Sequence, residues 1–286
     1  MTNEVLVVGD LLVDIVVVPE GPLQPGSDMA STSTTRGGGS AANTAAWLTT
    51  CERPVVLVAA AGDDTLGHGA VNELTALGVR FAGWFDPDRR TGSCVVLVDQ
   101  RGERTMLPDR GANDGLPAAV VAGALTAPPA WLHLSGYTLL GDGSRPAAEA
   151  AIAFARQHGV RWSVDASSAA PLRALGSASF LEWVAGCDVL FANDDEVAAL
   201  GGADAARSRV GALVVKHGPE GASWLSARDQ VRLPSVATTV VDSVGAGDAL
   251  DAGVIDALLR GAAPSDALRE GCVVAALAVA RIGARP

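Results

Sequence analysis

The chain has 286 residues, 49% of them hydrophobic and 19% charged, with 32 acidic side chains against 21 lysines and arginines and a formal net charge of −11. That is ample apolar material for a large buried core and lies outside the disordered regime. An acidic chain without a Lys/Arg run carries no electrostatic footprint for nucleic acid or an anionic membrane, and neither is an expected partner. No basic leader segment opens the chain, and no stretch reaches the roughly 18 unbroken apolar residues of a spanning helix, so the expected location is cytoplasmic. Cys51, Cys94, Cys187 and Cys272 lie far apart without C-x-x-C pairing, which argues against a zinc site or a disulfide framework and for small core residues.

In chain order, strands are predicted at Val5–Val8, Val55–Ala60, Trp131–Leu134, Arg161–Val164, Val189–Phe191 and Leu213–Val215. Between them, Ala-rich helical runs start near Ser40, Thr65, Arg145, Asp194, Gly247 and Pro264, several with a Ser, Thr, Asn or Asp at the first turn. The alternation predicts a doubly wound, mainly parallel α/β sheet flanked by helices, in one domain over 1–286. Four β-like runs break it, at about 11–18, 30–36, 92–99 and 103–108, with a turn at 99–102 joining the last two. These predict a small β-sheet carried on the main sheet as a lid. Its exposed edges suggest a homodimer formed through it.

The stretch VDSVGAGDALDAGV, 241–254, places a glycine turn where β-branched ATTVV (237–241) hands over to a helical run. Backbone N–H groups of Gly245, Ala246 and Gly247 at a helix start form an anion-binding geometry, with the positive end of the helix dipole behind them. Asp248 in the same first turn is a poor ligand for a phosphate. It is well placed to take the proton of a nearby hydroxyl. An ordinary first-turn acid stabilising its own helix is the alternative reading. There is no GxxxxGK[ST], and Leu250 stands where a dinucleotide fingerprint wants Gly or Ala, so neither a P-loop nor a standard Rossmann enzyme fits.

Asp242-Ser-Val-Gly245-Ala246-Gly247-Asp248-Ala-Leu250-Asp-Ala-Gly253 resembles the C-terminal signature of the ribokinase-like (PfkB) carbohydrate kinases, D-T-x-G-A-G-D-x-F-x-x-G. It departs from that signature at Ser243 and Leu250. Further motifs follow in the family's order. Gly9-Asp10-Leu-Leu-Val-Asp14 is similar to G-x-x-x-x-D, and Gly38-Gly39-Ser-Ala-Ala42-Asn43 to G-G-x-x-A-N. Gly62-Asp63-Asp64-Thr-Leu-Gly67 resembles a G-D-D-x-x-G turn, and Gly111-Ala112-Asn113 the G-A-N after the lid strands. Asn193-Asp-Asp-Glu196 resembles N-x-x-E, and Lys216-His-Gly218-Pro-Glu-Gly221-Ala222 resembles K-x-G-x-x-G-A.

The resemblance implies an ATP-dependent kinase with Asp248 as base and Gly245, Ala246 and Gly247 as anion hole. Asp14, Gly38, Gly39, Asn43 and Asp242 fall on the acceptor side. Asn193, Lys216, Gly218 and Gly221 fall along the nucleotide, and Glu196 organises Mg²⁺ through water. Gly283-Ala284 matches a loop that in many members binds a monovalent cation with the Asp242 segment, so K⁺ is a further candidate cofactor.

The acceptor implied is a sugar or sugar-like polyol. A nucleoside is the alternative, for which Trp47, Trp84 and Tyr137 are the aromatic candidates, core packing being their ordinary role. A phosphosugar would need basic contacts, for which Arg36, Arg104 and Arg110 in or near the lid strands are candidates. A sensor of sugar or nucleotide without turnover is the reading of a different class. The intact Asp248 favours an enzyme.

Overall fold

The computed structural model describes residues 2–100 and 104–286. Residues 101–103, which include half of the predicted 99–102 turn and the first residue of the last predicted lid run, lie outside the described residues.

The main sheet has nine strands in the order Gln230–Leu233, Ala222–Ser226, Ala212–Lys216, Val189–Asn193, Trp162–Asp165, Trp131–Ser135, Val5–Val8, Val55–Val58 and Val79–Phe81. All neighbours pair in parallel except at the Ala222–Ser226 and Gln230–Leu233 end, which is antiparallel. Because successive side chains alternate across a strand, Val5 and Val7 face one layer while Leu6 and Val8 face the other. The first layer holds Ser40–Thr50, Thr65–Ala76, Ala246–Leu259 and Pro264–Val279, around Trp47, Leu74 and Ile255. The second holds Ala118–Ala124, Arg145–His158, Ala169–Leu175 and Ser177–Trp183, around Leu139, Ile152 and Phe180. Near-continuous apolar strands, buried on both faces, are what a parallel sheet between two helical layers requires.

The predicted lid is present as a four-stranded sheet in the order Ser31–Gly38, Leu12–Pro19, Gly92–Val98, Arg104–Asp109. Val13, Cys94 and Val96 are buried, whereas Val18, Met106 and Leu107 are exposed. Two side chains fasten its base. Asn113 is 3% exposed and clamps Leu11, accepting its N–H at 2.9 Å and donating to its carbonyl at 2.9 Å. Asp64 caps Thr65–Ala76 through the Gly67 N–H and accepts both the N–H and the hydroxyl of Thr91, beside the first residue of the third lid strand. Asp64 is thus the structural carboxylate of the Gly62–Gly67 turn, while Asp63 sits at the surface against His68.

Three sequence expectations change. The run 237–241 is irregular and exposed, not a strand, and at its end the chain docks as Val241 and Asp242 donate to the carbonyl of Val279. β-branched composition is a preference for a pleated, half-buried surface, and this run is exposed. The strand predicted over Val55–Ala60 ends at Val58, and Ala60–Gly62 pairs separately with Trp84–Asp86. Cys94, Cys187 and Cys272 are buried, but Cys51 is only partly so, at the end of Ser40–Thr50.

Candidate active site

In open parallel sheets ligands bind beyond the carboxyl ends of the strands, where the strand order reverses. Here the chain runs outward from Val5–Val8 to Val55–Val58 on one side, then resumes at Trp131–Ser135 on the other. Asp10 follows the first of these strands at that crevice. Its carboxylate accepts the N–H groups of Ser40 and Ala41 at 3.1 and 3.3 Å, fixing the start of Ser40–Thr50.

The start of Ala246–Leu259 converges on the same place. Gly245 precedes it with φ 76°, and a Cβ there would lie 2.5 Å from the Ala284 carbonyl oxygen, so both the left-handed backbone and the close approach require glycine. In the first turn, Asp248 accepts from the Ser40 hydroxyl at 2.8 Å and from the Asn43 side-chain amide at 2.9 Å. Burial, with Asp165 adding to it, pushes the Asp248 carboxyl up to about 7 against the opposing Asn43, Lys216 and Ser40 contacts. A carboxylate poised near neutrality can take a proton from a hydroxyl, and the helix-start amides beside it can stabilise a transferring anion.

Asp14, on the lid strand Leu12–Pro19, is 8% exposed, and its carboxylate accepts no hydrogen bond among the described residues. Burial pushes it up to about 6, opposed by Arg285 and reinforced by Asp10. It faces a cavity of about 320 Å³ between the lid and the Asp242–Val244 and Ile282–Ala284 segments, lined also by Arg36 and Arg104. Gly38 lies against the Asp14 carboxylate, where a side chain would not fit. Asp242 lines the cavity, but its carboxylate is already engaged: it accepts from Arg104 at 2.7 Å, from the Val244 N–H at 3.0 Å and from the Gly283 N–H at 3.1 Å. The Asp242 and Gly283 segments are therefore brought together.

Asn193 and Lys216 end neighbouring strands in register. Asn193 and Glu196 form a reciprocal cap: the Asn193 side chain accepts the Glu196 N–H, and Glu196 accepts the Asn193 N–H and side-chain amide, each at 2.8 Å. Burial, then Asp165, pushes Glu196 up to about 7. Lys216 is not a solvated strand end. Its ammonium is paired with Asp165 and lies 3.2 Å from Asp251, directly under Gly247. Burial disfavours its charge, but Asp165, Asp251 and Glu196 outweigh that and keep it protonated. Asp165 is buried too, yet Lys216 carries it down to about 2, while burial holds Asp251 well above the carboxylate range. Gly218 and Gly221 flank a short 3-10 turn with φ 57° and 97°.

Sequence reasoning missed Ser40, Asp165, Asp251 and Arg285. Ser40 lies inside the G-G-x-x-A-N segment and Asp251 inside the Asp242–Gly253 segment, and Asp165 and Arg285 had no local signal, because their partners are remote in the chain.

Residues 2–286 match the model of the pfkB family carbohydrate kinases. The chain belongs to that family. The kinase is 34% identical over 257 residues to the ATP-dependent ribose-1-phosphate kinase of Halopiger xanaduensis, covering 87% of this chain and 82% of that one. It is 25% identical to the ribokinase of Bacillus subtilis, over 99% and 95% of the two chains. Among solved structures it resembles adenosine kinase from Sinorhizobium meliloti, with a TM-score of 0.88 at 24% identity over 100% and 96%. The fold is ribokinase-like, and the enzyme is an ATP-dependent sugar or nucleoside kinase. No helix among the described residues is long and apolar enough to cross a membrane.

Proposed function

We propose that the kinase transfers the γ-phosphoryl group of ATP to a hydroxyl of a small sugar or sugar-like polyol, with Asp248 as general base and the amides from Gly245 to Asp248 as anion hole. The observation that carries this is the pair of hydrogen bonds from Ser40 and Asn43 to Asp248, which joins the acceptor motif to the signature motif. Asp14 and Asn43 hold acceptor hydroxyls. Asp248 accepts the proton of the attacking hydroxyl as the phosphoryl group moves in line, and the helix-start N–H groups bear the charge of the transferring oxygens. Lid closure excludes water, the competing acceptor.

Both Glu196 oxygens already accept from Asn193, which suits a cation held through water more than direct ligation. Asn193 and Glu196 are accordingly the residues that would hold Mg²⁺ arriving with ATP, where it would neutralise phosphate charge. K⁺ at the Asp242–Gly283 junction, a single domain over 1–286, a cytoplasmic location and a homodimer through the exposed lid face complete the proposal.

A phosphorylated sugar is the second reading. Arg36 and Arg104 line the same cavity as Asp14, a relative acts on ribose 1-phosphate, and guanidinium groups suit phosphate. A nucleoside is less well supported, since Trp47 is buried in the core with its indole N–H on Ala284 and Arg110 stacks over Tyr137.

The test is ADP production with ATP and Mg²⁺, with and without K⁺, against free sugars, phosphosugars and nucleosides. Stimulation by one class, lost in Asp248→Asn, is expected. Full turnover in Asp248→Asn would refute the base, and ATP binding with no acceptor on a broad panel would favour a sensor.

A further inference from the structure

Arg285 is 7% exposed and belongs to none of the motifs. Its guanidinium makes three directed contacts: Nε donates to Asn43 Oδ1 at 3.2 Å, one terminal nitrogen to the Gly38 carbonyl at 2.8 Å, and the other to Glu73 at 2.9 Å. The guanidinium lies over Gly37, which has no side chain to obstruct it. The neighbouring residue is anchored as well, since the Trp47 indole N–H donates to the Ala284 carbonyl at 2.8 Å.

The contact with Asn43 decides something. A carboxamide has one accepting end and one donating end, and rotating it by half a turn exchanges them. Asn43 offers its NH₂ to Asp248 at 2.9 Å. With the halves exchanged, a carbonyl oxygen would face a carboxylate. Arg285, which can only donate, occupies the oxygen end and so forbids the exchange.

We propose that Arg285 is the positioning residue of the base: it locks the Asn43 carboxamide in the one orientation that donates to Asp248, and thereby orients the carboxylate toward the acceptor hydroxyl. This deepens the function proposed above and rests on Asp248 as base. The charged groups facing Asp248 are Asp165, Lys216, Asp251 and Arg285, and those facing Arg285 are Glu73, Asp14 and Asp248. Removing the guanidinium takes away both an indirect donor and a cation, so the base should become harder to ionise.

Arg285→Met keeps length and apolar contact, and Arg285→Lys keeps the charge without the planar fork. The titration of Asp248 is followed by carbon NMR of carboxyl-labelled aspartate, its signal assigned by loss in Asp248→Asn, which needs no acceptor. In Arg285→Met the midpoint should rise by about half a pH unit or more. With the acceptor found active, kcat should fall about 10- to 100-fold while the KM for ATP stays within about twofold. Arg285→Lys should hold the midpoint closer to wild type and still lose kcat. An unchanged midpoint and kcat in a folded Arg285→Met overturns the proposal. If Arg285→Met does not fold, unchanged kcat in Arg285→Lys overturns it. Full turnover in Asp248→Asn instead sinks the base itself, a separate failure.

Discussion

Ser40 and Asp248 stand 208 positions apart and share a hydrogen bond of 2.8 Å from hydroxyl to carboxylate. Each opens a helix, so two helix starts meet across one proton acceptor. A carboxylate serving only its own helix has no need of a donor from a second one.

Asp248→Asn should therefore lower kcat by about 10²- to 10⁴-fold, the range of a positioned general base. ATP affinity, measured by calorimetry, should change little. A variant that keeps its turnover and loses only affinity would identify Asp248 as a binding residue.

The pH dependence follows from the same carboxyl. With its midpoint pushed up to about 7, Asp248 is protonated and idle at lower pH, so kcat should fall about tenfold per unit well below neutrality. Stability runs the other way. Asp14, Glu196 and Asp248 ionise at about 6, 7 and 7 in the folded protein, above their ordinary values of 3.8, 4.5 and 3.8. Their contribution is full below the unfolded values and is lost as pH rises through the folded ones. Asp165, lowered to about 2, opposes this only in strong acid. Thermal unfolding should show Asp248→Asn more stable than wild type at pH 8, with the gap shrinking as the pH is lowered.

Lys216→Met should destabilise the protein by about 3–5 kcal/mol, because it strands Asp165 beside Asp251 without a counter-charge. Adding Asp165→Asn should recover much of that loss. Urea unfolding of the single and double variants checks both; equal losses would mean that the cluster is not coupled.

Asn113→Ala should cost about 1–3 kcal/mol by leaving the Leu11 N–H and carbonyl buried without partners. Since Leu11 leads into the lid, acceptor KM should rise and ATP hydrolysis without acceptor should increase. An unaltered KM would show that the Asn113 clamp on Leu11 does not govern closure.

The main sheet was legible because apolar strands and Ala-rich helices alternate, and the lid because four β-like runs lacked helices between them. Asp248 was singled out by its place after the glycine turn and Asn43 by the resemblance of its segment to G-G-x-x-A-N, and the hydrogen bond between them had no local signal. The run 237–241 was misread because β-branched residues signal a strand whether or not they find a half-buried surface to join. The pairing of Lys216 with Asp165 and Asp251 was not legible, because these partners stand 51 and 35 positions away. Arg285 had no signal at all: its meaning comes from Asn43, 242 positions off.

The layout also bears on the order of synthesis. Ser40–Thr50 emerges early, yet it packs against Ala246–Leu259, which emerges some 200 residues later and carries Asp248. Until then the nascent chain keeps an apolar surface open, the kind that chaperones hold. Asp248, the proposed base, thus arrives with a helix that helps to close the core, so on the proposed mechanism a half-made chain has no means to spend ATP on water.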